Sequence, residues 1–180
     1  MPRPVPHRRR AREAANLYAG LLPEFERILG PEHLDTLAVR AGLAWSTGEA
    51  KGTAEARDQF AALLPVAEQV LGPEDPLTLN VRAGLARWTG NADPAKARDR
   101  FVALLPVYQR ILGAAHPDTL YIRHSIARWT GQTGNPAAAR DQYAALLSER
   151  ERILGPTHPD TRVAQDNLRH WTEKADSEAN

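Results

Sequence analysis

Three histidines recur at a fixed place, each two residues before an aspartate: His33 before Asp35, His116 before Asp118, and His158 before Asp160. Imidazole is a metal-ligand chemistry, so a metal row is the first possibility. Ligands must converge within roughly 2 Å of one ion, however, and side chains repeated once per stacked unit stay apart. The histidines are therefore expected to be structural, with no metal. Gly48–Thr53 holds glycine, lysine and threonine, but not in the order that cradles a phosphate, and no strand precedes it. HExxH, the EF-hand loop and the Gly-rich dinucleotide fingerprint are absent from the sequence. There is no Cys, which excludes a thiol nucleophile, a disulfide framework and Cys-ligated clusters. None of the four Ser lies in a nucleophile elbow. Acids are plentiful but recur in phase with the rest of the chain, whereas a catalytic constellation is singular. The expectation is a protein without catalysis or cofactor.

The phase is a period of about 42 residues. Ile28-Leu29-Gly30 returns as Val70-Leu71-Gly72, Ile111-Leu112-Gly113 and Ile153-Leu154-Gly155. Thr47-Gly48, Thr89-Gly90 and Thr130-Gly131 keep step, followed by Thr172-Glu173. So do Asp35-Thr36, Leu77-Thr78, Asp118-Thr119 and Asp160-Thr161. Within each unit, two apolar stripes at helical spacing predict two helices. Helix B carries Phe60, Leu63, Leu64, Ala67, Val70 and Leu71, with the same increments from Tyr18, Phe101 and Tyr143; Arg150 is the one departure. Its closing glycine reads as a C′ stop. Pro23, Pro65 and Pro106 lie inside the B stripe, and Ser148 takes that place in the last unit. Helix A starts near Asp35, Thr78, Asp118 and Asp160, carries Val81, Leu85 and Trp88 or Ile122, Ile126 and Trp129, and is read as ending at Thr-Gly. No strand pattern survives. The fold class predicted is all-α, a right-handed superhelical solenoid of antiparallel helix pairs with about eight helices, in which each unit buries its stripe by stacking.

Residues 1–12 hold Arg3, Arg8, Arg9, Arg10 and Arg12 among three prolines, and read as a disordered basic tail. The array then spans 13–173, helix B first and helix A last, and 174–180 form a disordered end. The formal net charge is +1, from 23 Lys+Arg and 22 Asp+Glu. A balance so near zero provides no general field for nucleic acid or an anionic membrane. No apolar run approaches the roughly 20 residues of a membrane span, so a soluble cytoplasmic protein is expected. The 20 Arg against 3 Lys fit a GC-rich genome. Arg40, Arg82 and Arg123 share one register, and Asp58, Asp99 and Asp141 share another on the next B helix. The expected structure pairs them as buried ions. Asn16 and Gln165, neutral at the ends of that ladder, would then mean that the array ends with the chain.

The run Leu43-Ala44, Gly48, Ala56, Phe60, Leu63-Leu64 resembles a tetratricopeptide repeat. The 42-residue period with its HPDT links is similar to the kinesin-light-chain subtype. His-Pro-Asp-Thr-Leu at 116–120 and Ala-Arg-Asp-Gln-Phe/Tyr at 56–60 and 139–143 are close to repeats common in actinobacterial proteins, where such arrays often follow a signalling NTPase module. The resemblance implies protein–protein interaction, with A helices lining a concave groove that holds a peptide or partner helix. On a wheel, Trp45 in the first A helix, Asn80 and Arg87 in the second, and Tyr121, His124, Arg128 and Gln132 in the third fall on the stripe that would face that groove. The arginines and His124 would accept carboxylates while Tyr121 and Trp45 pack on side chains. Two alternatives stand beside this reading. The first helix, with Tyr18, Leu21, Leu22 and Phe25, could mediate self-association through a terminal helix. Nucleic-acid contact through the Arg tail is the weaker of the two, since the tail has no aromatic residue.

Overall fold

In a computed structural model, which describes residues 6–179, the chain forms eight helices and no strand among those residues. Two compact units divide it, Met1–Asn91 and Ala92–Asn180. The first contains α1 (Pro6–Leu29), α2 (Leu34–Lys51), α3 (Thr53–Leu71) and α4 (Pro76–Thr89). The second contains α5 (Pro94–Leu112), α6 (Pro117–Gln132), α7 (Pro136–Leu154) and α8 (Pro159–Ala179). The odd-numbered helices are the B helices of the sequence and the even-numbered ones are the A helices.

The links are built from local chemistry. Gly30, Gly72, Gly113 and Gly155 close the B helices at φ between 87° and 91°, a region that costs any residue with a Cβ. The N–H of each donates to the carbonyl four residues earlier, as Gly72 does to Glu68 at 3.1 Å. The recurring histidines then start the A helices. His33, His116 and His158 each accept, on Nδ1, the backbone N–H of the aspartate two residues on, at 3.2 Å. Asp75 does the same for Leu77 at 2.8 Å. An imidazole lone pair and a carboxylate thus fill one N-cap role. Proline at the first turn of α4, α5, α6 and α7 gives up an N–H that would have no partner there. Pro23, Pro65 and Pro106 lie inside continuous helices.

Each unit has its own core. In the first, Leu37, Ala41 and Ala44 of α2 meet Ala56, Phe60 and Leu63 of α3, with Val81 and Trp88 of α4. In the second, Leu120 and Ala127 of α6 meet Ala139, Tyr143 and Leu146 of α7, with Trp171 of α8. Val70 and Ile111, ten residues past the ring of the stripe, lie at its edge and are exposed. Arg150 is buried, and its Nη1 donates to the Asp160 carbonyl at 2.8 Å. Burial lowers its pKa from the usual arginine value, an effect that Asp160 opposes.

Three sequence expectations change. Thr-Gly does not end helix A in α2 or α6, which run on to Lys51 and Gln132. The glycine is instead a seat for an aromatic ring. A Cβ on Gly48 would lie 2.3 Å from the Trp88 indole, and one on Gly131 would lie 2.4 Å from that of Trp171. Helix α1 begins at Pro6, so Arg8, Arg9, Arg10 and Arg12 are helical rather than part of a loose tail. Arginine and alanine are good helix formers, and Arg9 pairs with Glu13 one turn on at 2.9 Å. Residues 1–5 lie outside the described residues. Helix α8 likewise continues past 173 to Ala179.

Candidate partner-binding face

Within each unit the Arg–Asp ladder is not formed among the described residues. Asp58, Asp99 and Asp141 point outward and pair with the arginine just before each, Arg57, Arg98 and Arg140, at 2.7–2.8 Å. Arg82 turns to Glu68 of α3, with Nη2 at 2.7 Å and Nε at 3.0 Å. Arg123 pairs with Glu149 of α7. Gln165 reaches Glu151, fourteen residues earlier like Glu68 from Arg82, at 3.3 Å. Arg40 makes no ion pair with Asp58 among the described residues. The physical reason is solvation. Aspartate on the outer side of a B helix keeps its water, and the longer glutamate reaches the half-buried guanidinium without losing all of its own. Gln165 therefore continues the glutamate pairing, and its neutrality says nothing about an array end.

The face predicted to meet a partner is assembled differently in the two units. In the first, α2 and α4 bring Trp45, Asn80 and Arg87 together. The Trp45 indole donates to Asn80 Oδ1 at 2.8 Å. Arg87 stacks 4.9 Å from the Trp88 ring centroid and 5.9 Å from that of Trp45. Its Nη2 is 2.7 Å from Glu49 Oε1, with both side chains about two-thirds buried at 27% and 35% exposure. This half of the face satisfies its own charge. Sequence reasoning missed Glu49, though the signal was in phase: the residue after Thr-Gly is Glu49, Asn91 and Gln132 in turn, and Lys174 follows Thr172-Glu173.

In the second unit, Tyr121 stands edge-on to Phe101 at 6.2 Å, and its hydroxyl is buried with no hydrogen-bond partner. The His124 ring lies edge-on to Tyr143 at 5.3 Å, and its backbone carbonyl accepts the Tyr143 hydroxyl at 3.3 Å. The imidazole is thus packed against the core ring rather than projecting freely. Arg128 is exposed and lies 4.8 Å over Trp129. No ion pair engages it among the described residues. Gln132 is exposed at the end of α6. On α8, Lys174 sits 5.3 Å over Trp171, beside the His170 ring. The arrangement can present a cation on an aromatic plate, which suits a carboxylate carried on an apolar segment. Among the described residues no cluster of three or more His, Asp or Glu side chains is placed to hold a metal ion. No described helix is long and apolar enough to cross a membrane.

Comparison with known proteins agrees with the helix-pair fold. Residues 119–160, one helix-pair length, match the family model described as tetratricopeptide repeat. Two crystal structures of a putative kinesin light chain from Podosopora anserina with nearly identical TPR-like repeats superpose on the chain. The first, a point variant, gives a TM-score of 0.73 at 21% identity, covering 93% of this chain and 79% of that one. The other gives 0.72 at 21%, covering 93% and 80%. BtubC (BKLC) from P. vanneervenii gives 0.75 at 16%, covering 92% of this chain and 66% of that one. No curated protein sequence matches the chain. The fold is that of tetratricopeptide-like helix-pair repeats, and the repeat matched at 119–160 is the one that carries Tyr121, His124 and Arg128.

Proposed function

We propose that this protein is a non-catalytic interaction scaffold whose A-helix face binds a peptide or helix of a protein partner, with the second unit as the charge-reading half. The observation that carries this reading is Arg128: an exposed guanidinium on the Trp129 plate, without an ion pair among the described residues. Tyr121, with a buried hydroxyl lacking a partner about two turns away, supports it. Arg87 is the weaker candidate, because Glu49 already occupies it. An acidic segment then engages Arg128 of the second unit.

The test is affinity capture with the full chain, followed by salt titration of whatever is retained. Arg128→Ala removes one exposed charge-assisted contact, about 1 kcal/mol or roughly fivefold in affinity, and flattens the salt dependence. Arg87→Ala is expected to change charge recognition less. A partner set and salt dependence unchanged in Arg128→Ala would sink this assignment. Nucleic-acid contact through Arg8, Arg9, Arg10 and Arg12 is distinguished by nuclease treatment, which leaves protein partners in place.

A further inference from the structure

The two terminal helices differ in what they leave uncovered. In α3 and α7 the B-helix stripe is sealed by the A helix before it. Phe60 and Leu63 pack on Leu37 and Ala44, and Tyr143 and Leu146 pack on Leu120 and Ala127. Helix α1 has the same stripe, and among the described residues no helix covers that side. Leu21, in the register of Leu63 (1% exposed) and Leu146 (1%), is 38% exposed. Leu17 and Ile28 are 63% and 64% exposed. These three residues lie within about 40° of one another on a helix wheel. Leu17 is specific to α1, since its register in α3 and α7 holds Gln59 and Gln142. Such a stripe on a helix face marks an interaction surface.

Helix α8 is the opposite case. Where an inner A helix carries Leu37, Ala44 and Gly48 toward the helix pair that follows it, α8 carries Arg162, Arg169 and Glu173, all exposed. A face of that kind lacks the apolar surface on which neighbouring repeats stack. It offers α1 of another copy no leucine, alanine or glycine to pack on. Head-to-tail assembly is therefore not what the α1 stripe fits.

We propose that α1 pairs with α1 of a second copy, antiparallel about a two-fold axis, forming a closed dimer. Charge complementarity selects this occupant. Arg10 lies on the stripe near one end of α1 and has no ion pair among the described residues; Glu24, which holds an exposed pair with Arg27 of its own helix at 2.6 Å, flanks the stripe toward the other end. In an antiparallel pair centred between residues 17 and 21, Leu17 faces Leu21 of the other copy, and Arg10 comes within about one helical turn of the other copy's Glu24. The surface is self-complementary, as a two-fold interface must be. The inference is independent of the A-helix face, because it uses neither Arg128 nor its neighbours.

The experiment is sedimentation equilibrium of the full chain over a wide concentration range. A monomer–dimer equilibrium is expected. Leu17→Lys and Leu21→Lys, which alter exposed side chains, should weaken dimerisation by at least about tenfold, from the lost apolar burial. Circular dichroism checks that helicity is retained. Arg10→Glu alone should weaken the dimer, and Arg10→Glu with Glu24→Arg should restore it. Val163→Lys on α8 should have no effect. A chain that stays monomeric throughout, open-ended growth with concentration, or a charge swap that fails to restore pairing would each overturn the proposal.

Discussion

Gly48→Ala tests whether the Thr-Gly signature is a ring seat rather than a helix stop. The added methyl would start 2.3 Å from two atoms of the Trp88 indole and 2.8 Å from a third, about an ångström inside ordinary contact. Trp88 is 7% exposed and carries Arg87 on its face, so the ring has little room to withdraw. Overpacking of this kind costs about 1–3 kcal/mol. Alanine in a helix interior recovers about 1 kcal/mol relative to glycine. The expected net change is a loss of up to about 2 kcal/mol, read as a lower urea midpoint at unchanged slope. Gly20→Ala is the control. It lies in the interior of α1 with nothing within 4 Å of the added carbon, and should gain up to about 1 kcal/mol. Trp88→Leu should relieve the clash, so the double mutant shows a coupling energy of opposite sign to the clash. A Gly48→Ala chain that gains stability as much as Gly20→Ala does would refute the seat.

Three further outcomes follow from the links and the buried polar groups. His116→Ala should lose about 1 kcal/mol through the missing N-cap, whereas His116→Asp should stay within a few tenths, because Asp75 already fills that role in α4; urea unfolding compares the two. Burial raises the phenol pKa of both Tyr108 and Tyr143 above the ordinary 10.0, so the folded chain holds both protonated where the unfolded chain ionises. Stability should therefore be level below about pH 10 and fall above it by about 1.4 kcal/mol per pH unit for each tyrosine, and urea midpoints across that range should show the slope reduced by about half in Tyr143→Phe. Arg150→Leu replaces a buried cation with an apolar side chain in a stripe that elsewhere is apolar, and should leave thermal stability within about 1 kcal/mol or raise it; a loss above about 3 kcal/mol would mean that its bond to the Asp160 carbonyl outweighs the burial of its charge.

The helix pairs were legible because their signals are local and repeated. A glycine at positive φ, a proline in a first turn and an apolar stripe each report on their own few residues, and four copies average out the exceptions. Pairing across helices was not legible in the same way. The period aligns Arg123 with Asp141 as readily as with Glu149, and only side-chain reach and solvation select the glutamate. Gly48 misled because glycine stops helices and also admits rings. The corrective signal was present: a tryptophan stands forty residues after Gly48 and again after Gly131. On the candidate face, Arg87 and Arg128 look equivalent in one dimension. They differ because Glu49 engages Arg87, whereas no ion pair engages Arg128 among the described residues. The capping role of the histidines needed the Nδ1 geometry.

The contrast between α1 and α8 gives the molecule a direction in which it can be lengthened. A helix pair of the same pattern added ahead of α1 would meet an apolar stripe already suited to receive it, with Leu21 and Tyr18 in the register of Leu63 and Phe60. A pair added after α8 would meet Arg162, Arg169 and Glu173, and would need all three rewritten before it could stack. Duplication of a unit is thus nearly free on one side and costs several coordinated substitutions on the other. A designer extending this scaffold, or selection acting on its copy number, would find growth open at the amino-terminal side and gated at the carboxy-terminal one.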